Sequence, residues 1–159
     1  MKTLIAYFSA SGETKKLAHT LADIVKGDLF EIKPETPYTA ADLDWRDKAS
    51  RSSVEMRDTS CRPAMAEQAD VAPYDTIFVG FPIWWYEAPR IIETFLESCD
   101  LTGKTVIPFA TSGGSDMGNT DSILQRSAKA ANWKLGRRLK ANATAQEVAK
   151  WLESEGLLP

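Results

Sequence analysis

The chain is poor in the residues that would announce metal, thiol or imidazole chemistry. Its 159 residues include one histidine, His19, and two cysteines, Cys61 and Cys99. A single histidine on a helical stretch, with no obvious partner, reads as a solvated side chain rather than a ligand or base. The cysteines lack metal-ligand and redox spacing, so buried or idle thiols are expected rather than a disulfide or a nucleophile. No run approaches the roughly 20 apolar residues of a membrane-spanning helix. Met1-Lys2-Thr3-Leu4 leads directly into a strand-like run without signal-peptide features. No membrane association and a cytoplasmic location are therefore the expectations. A net charge of −3 and a pI near 5.3 argue against nucleic acid as a partner and give no strong steering field. Neither the Gly-x-x-x-x-Gly-Lys-Ser/Thr loop nor the Gly-x-Gly-x-x-Gly turn is present, and Lys15 and Lys16 fall inside a helical pattern.

What remains is an ordinary soluble composition, 43% hydrophobic and 26% charged, of a length that suits one domain, residues 1–159. Apolar runs and amphipathic stretches alternate along it. Thr3–Phe8 reads as a buried strand, and Leu17, Ala18, Leu21, Ala22 and Val25 recur at helical spacing until Gly27, a natural stop. Leu29–Ile32 reads as a strand nearer a sheet edge. Thr39 with Asp42 three residues on has a capping-box pattern, predicting a helix to about Met56. Thr76–Phe81 is apolar on both faces, as the centre of a parallel sheet requires. Pro89 suits the first position of a helix burying Ile91, Ile92, Phe95 and Leu96. Thr105–Ala110 is the fourth strand, where Pro108 predicts a bulge or an unpaired side. A helix over about 120–131, a basic strand at about 135–139 and a capped helix from Thr144 complete the pattern. Lys134, Arg137, Arg138 and Lys140 near that last strand read as a solvated edge.

Five alternations of strand and helix imply a parallel sheet covered on both faces. Ligands of such sheets collect beyond the carboxyl ends of the strands, which brings three loops together. The first, Ser9-Ala10-Ser11-Gly12-Glu13-Thr14, joins a strand to a helix N-terminus. Free N–H groups, the positive helix end and three hydroxyls (Ser9, Ser11, Thr14) there make a phosphate site. An ordinary capped turn is the alternative. The second, Pro82-Ile83-Trp84-Trp85-Tyr86, continues through Glu87-Ala88-Pro89. Each of its aromatics could bury about 150–250 Å², favouring a planar aromatic ligand over a core or dimer contact. The third, Thr111-Ser112-Gly113-Gly114-Ser115, is small and rich in backbone donors, suited to the polar edge of a heterocycle, or else a flexible connector.

Phosphate grip, aromatic stacking and polar-edge recognition together describe flavin mononucleotide (FMN). On these three segments, which are Tyr7–Thr14, Gly80–Trp85 with Ala88-Pro89, and Phe109–Ser115, the chain resembles the flavodoxin-like family over nearly its whole length. The last segment is similar to that of a bacterial branch. The resemblance implies a three-layer α/β/α sandwich with a five-stranded parallel sheet ordered 2-1-3-4-5, FMN bound without a covalent link, and redox chemistry carried by the cofactor. It implies an electron carrier working between a reductase and an acceptor protein, with no catalytic side chain of its own. Glu87 and Asp116 are the carboxylates expected near the ring. Trp84-Trp85-Tyr86-Glu87 lacks the glycine whose peptide flips toward N5 of the half-reduced flavin in many carriers, and a non-glycine residue resists positive φ. Thr111–Ser115 also lacks an aromatic cover for the outer ring face, although Met117 is close by. These two departures fit an alternative, an FMN-dependent NAD(P)H:quinone or other small-molecule oxidoreductase acting on a small oxidant. A non-redox anion-binding domain is the third reading.

Overall fold

The computed structural model describes residues 2–112 and 117–158. Among the described residues five helices and six strands follow one another, alternating as far as β5: β1 (Thr3–Tyr7), α1 (Glu13–Val25), β2 (Asp28–Glu31), α2 (Arg51–Arg57), β3 (Thr76–Pro82), α3 (Arg90–Ser98), β4 (Thr105–Thr111), α4 (Thr120–Gln125), β5 (Asn132–Trp133), β6 (Arg137–Leu139) and α5 (Ala145–Ser154). All strand pairs are parallel, and the sheet runs β2-β1-β3-β4-β5, with β6 also on β4. Counting β5 and β6 as two pieces of one strand, this is the order 2-1-3-4-5.

Alternation along each strand builds two cores, because successive side chains leave opposite faces of the sheet. Leu4, Ala6, Ile77, Val79, Phe81 and Val106 pack with Ile91, Ile92, Phe95 and Leu96 of α3 and Leu124 of α4. On the other face Ile5, Tyr7, Phe78, Ile107 and Phe109 meet Leu17 and Leu21 of α1 and Val148, Trp151 and Leu152 of α5. The three layers follow from that division.

Pro108 lies inside β4, opposite Val79. Lys134 N–H donates to Val106 O at 2.9 Å, while Thr105 N–H donates to Asp75 O and Thr111 O accepts from Ile83, both toward β3. The even-numbered residues of β4 thus face the outer side, where Pro108 has no N–H to give. There the outer strand breaks, between Trp133 and Arg137. In the gap, Gly136 N–H donates to Asp121 Oδ2 at 2.8 Å instead. The expected basic strand at 135–139 is accordingly only Arg137–Leu139, and a separate piece, Asn132–Trp133, precedes it.

Further expectations are corrected. Thr39 and Asp42 do cap each other reciprocally, at 2.9 and 3.1 Å, but they open only a turn. Asp44 and Asp47 accept from the N–H groups of Arg46 and Ala49 two residues on, a local bonding that competes with helix. The helix starts later, at Arg51, with Ser50 as its cap. The helix expected to end at 131 stops at Gln125, and turns continue to the sheet. The first helix stops just before Gly27, whose N–H donates to Ala22 O at 3.0 Å, but the left-handed residue that closes it is Lys26 at φ 57°. A Cβ on Gly27 would stand 2.4 Å from Ile5 Cδ1, so glycine is needed there for close packing. Pro89 occupies the N-cap of α3, one residue before the predicted position. The capping box of Thr144 and Glu147 is present as expected.

Candidate functional site

The carboxyl end of β1 passes into a loop shaped by one hydroxyl. Ser9 Oγ accepts from Gly12 N–H at 3.0 Å, and Gly12 sits at φ +92° as the residue before α1. A Cβ there would touch nothing within 4 Å, so the demand for glycine is conformational alone. Gly12 offers no side-chain cap. Among the described residues no acceptor meets the N–H groups of Ser11, Glu13, Thr14 or Lys15. Open amides at the positive end of a 13-residue helix form a donor set complementary to a phosphate. Ser11 and Glu13 are exposed, while Ser9 and Ala10 are half-buried. Thr14 turns inward: it is buried, and its Oγ1 lies 2.8 Å from Thr111 Oγ1 at the end of β4.

The β3–α3 loop is a tight reversal. Trp84 N–H donates to Glu87 O at 2.8 Å and Glu87 N–H returns to Trp84 O at 3.1 Å. Trp85 and Tyr86 between them have φ of 50° and 64°. Positive φ at both central residues is the signature of a type I′ turn, which ordinarily selects Asn and Gly. Bulky residues there are strained, so the expectation that this stretch resists positive φ is corrected: the surrounding structure imposes it. Thr120 Oγ1 donates to Tyr86 O at 3.0 Å. Arg90, almost wholly buried, reaches Glu87 Oε1 at 2.9 Å and Glu93 Oε1 at 3.0 Å. Its Nη2 donates to Met56 O at 2.7 Å and its Nε to Glu55 O at 3.4 Å, tying the turn to α2. Glu87 is therefore a paired carboxylate, not a free negative charge.

The two tryptophans part company. Trp84 is half-buried, with ring edges against Phe8 at 5.7 Å and Tyr38 at 5.5 Å between centroids. Trp85 and Tyr86 are exposed, and Pro82 and Ile83 are half-buried at the strand end. Ile83 N–H donates to Thr111 O at 3.1 Å, holding this loop beside the third. In that third loop Thr111 is buried and Ser112 half-buried. Gly113 and Gly114, with Ser115 and Asp116, lie outside the described residues.

Tyr38 was not legible as part of the site. Its hydroxyl donates to Glu55 Oε1, Arg51 stacks 3.8 Å from its ring centroid, and Arg51 Nε bonds Glu55 at 2.9 Å. Burial, then the bond to Glu55, pushes its phenol far above the usual range. The Arg62–Glu97 contact at 2.9 Å lowers the Glu97 carboxyl, chiefly through its hydrogen bond from Arg62. Two cavities flank the loops. One of about 480 Å³ lies between Ser9, Ala10 and Tyr38. Another of about 670 Å³ lies against Trp85 and Glu87. Among the described residues no His, Cys, Asp and Glu cluster could hold a metal, and no helix is long and apolar enough to cross a membrane.

A parallel 2-1-3-4-5 sheet with open amides after β1 and an aromatic turn after β3 defines a flavodoxin-type architecture. The flavodoxin family model matches residues 2–155, and the chain belongs to that family. A protein of Bacteroides eggerthii DSM 20697, provisionally designated a flavoprotein, is 49% identical with a TM-score of 0.92, covering 98% of each chain. Another from Bacteroides uniformis ATCC 8492, with the same designation, is 54% identical with a TM-score of 0.92, covering 96% of this chain and 97% of that one. A flavoprotein of Lactobacillus acidophilus NCFM, solved in complex with FMN, is 28% identical with a TM-score of 0.72, covering 94% of this chain and 97% of that one. No curated protein matches the chain.

Proposed function

We propose that the protein binds FMN without a covalent link and uses it to transfer electrons. The carrying observation is the adjacency of open amides at the start of α1 to the strained Trp85–Tyr86 turn after β3. Membership of the flavodoxin family and the FMN complex of the Lactobacillus flavoprotein support the same reading. The amides of Ser11, Glu13 and Thr14, with the hydroxyls of Ser9 and Ser11, hold the phosphate. Thr14 acts through its pair with Thr111, and Ala10 and Gly12 let the backbone come close. Trp85 offers the ring an exposed face, with Tyr86 beside it, while Trp84 supports the loop from beneath. Pro82 and Ile83 fix the strand end, and Thr111 and Ser112 meet the polar part of the ligand. FMN supplies the redox chemistry, and the chain orients and shields it.

Electrons would pass between a reductase and an acceptor protein in the cytoplasm, with a small oxidant as a further acceptor. Titration with FMN, followed by thermal melting, tests the first step. Saturable binding is expected, lost by about tenfold or more in Gly12→Ala, where a Cβ opposes the left-handed backbone. An unchanged melting temperature at saturating FMN would overturn the reading. Two resolved one-electron potentials would support the carrier role.

The cavity against Trp85 favours a second reading, an FMN-dependent reductase of small molecules. FMN-dependent oxidation of NAD(P)H with a benzoquinone is its test, and absence of turnover removes it.

A further inference from the structure

Trp45 and Trp85 come from distant parts of the chain and line one cavity of about 670 Å³. Both indoles are exposed to a degree unusual for tryptophan, Trp45 at 65% and Trp85 at 43%. Buried Met56 adds an apolar surface to the lining.

The polar part of this cavity is one-sided. Arg46, Lys48 and Arg57 line it, and among the described residues none has a carboxylate within ion-pair distance. The Arg46 guanidinium lies 5.3 Å from the Trp45 ring centroid, so a stacked ring and an anion would meet in one place. The single acidic lining residue, Glu87, is bound to Arg90. Asp44 and Asp47 on the same loop bond the loop's own N–H groups and are not in the lining. Aromatic walls with unpaired cations select for a flat ring that carries negative charge.

We infer that this cavity binds a planar aromatic compound bearing an anionic group, held on Trp45 at the Trp85 edge of the flavin site, with the anion on Arg46 and Arg57. The ligand's role as a reactant rests on the small-molecule reductase reading above, whereas its binding is measurable without turnover. Two sources share this chemistry, a small aromatic acid as electron acceptor and a pyridine nucleotide as donor.

Isothermal titration of the FMN-saturated protein at low ionic strength tests the site, with 2-naphthalenesulfonate and its neutral counterpart 2-naphthylmethanol as probes. Saturable sulfonate binding is expected, with the alcohol weaker by about tenfold, the scale of one charge-assisted hydrogen bond. The exposed-residue variant R46Q/R57Q should lose sulfonate affinity by a similar factor and leave the alcohol unchanged, and Trp45→Ala should weaken both. A parallel titration with NADP⁺ separates the sources: binding that depends on Arg46 and Arg57 identifies the nucleotide, and sulfonate binding alone identifies the aromatic acid. No heat, equal affinity for both probes, or an unaffected R46Q/R57Q would overturn the inference. So would sulfonate binding that FMN displaces, since the cavity would then be part of the flavin's own footprint. Should FMN itself fail to bind, the function proposed above falls, while the same sulfonate titration still reports on the cavity.

Discussion

Thr14 and Thr111, 97 positions apart, share a 2.8 Å hydrogen bond between two buried hydroxyls. The bond joins the start of α1 to the end of β4. Two hydroxyls carry two protons, and one of them bridges the oxygens. The other is left to donate elsewhere.

Thr111→Val should destabilise the fold by about 1–3 kcal/mol, because the Thr14 hydroxyl is then buried without a partner. Thr14→Val/Thr111→Val should recover most of that loss, since exchanging both members for groups of similar shape removes the orphan. Urea denaturation of the two single variants and the double variant measures the coupling. Additive losses would show that the hydroxyls do not depend on each other.

The Trp85–Tyr86 turn stores strain that a better turn sequence would release. Replacing the pair by Asn-Gly should raise stability by about 1–2 kcal/mol, the scale of left-handed backbone cost per residue. FMN affinity should fall in the same variant through loss of the Trp85 face. Denaturation and FMN titration on one preparation read both effects. Stability that stays level or drops would mean that the two side chains contribute more to the fold than their exposure suggests.

Tyr38 sets a pH dependence at the alkaline end. Its phenol titrates above the usual value of 10.0 because burial, and then donation to Glu55, favour the neutral form. A folded-state pKa above the unfolded one gives stability that is complete below about pH 10 and is lost as pH rises toward the folded value. Urea midpoints of the FMN-free protein between about pH 9 and 11 should therefore decline. Tyr38→Phe should flatten that decline, leaving the smaller contributions of Tyr7 and Tyr74, which are raised as well. A slope identical in the two proteins would remove Tyr38 from the account.

The strand–helix alternation and the first two loops were readable because they rest on local signals: apolar runs of strand length, helix starts, and Gly12 beside hydroxyls; the strand order came from the family resemblance. The segment from Thr39 to Ser50 misled, because a true capping box was followed by aspartates that bond their own turns. Arg90 was invisible for a different reason. A cation one residue after Pro89 looks like a solvated first-turn residue, and only the tertiary fold brings Glu87, Glu93 and the Met56 carbonyl around it. Tyr38 and the Trp45 cavity share that origin, since both depend on contacts between loops distant in sequence. The positive φ of Trp85 ran against residue preference, and the cross-turn bonds to Glu87 and the hold on Tyr86 decided it.

Pro108 has an effect that reaches beyond the molecule. By withholding one proton from the outer flank of β4, it leaves that side of the sheet as stubs of two and three residues. Lysine and arginine at 134, 137, 138 and 140 surround them. A second copy seeking to extend the sheet would find neither a continuous ladder nor a neutral approach. The imino acid thus acts as a guard against polymerisation through that rim.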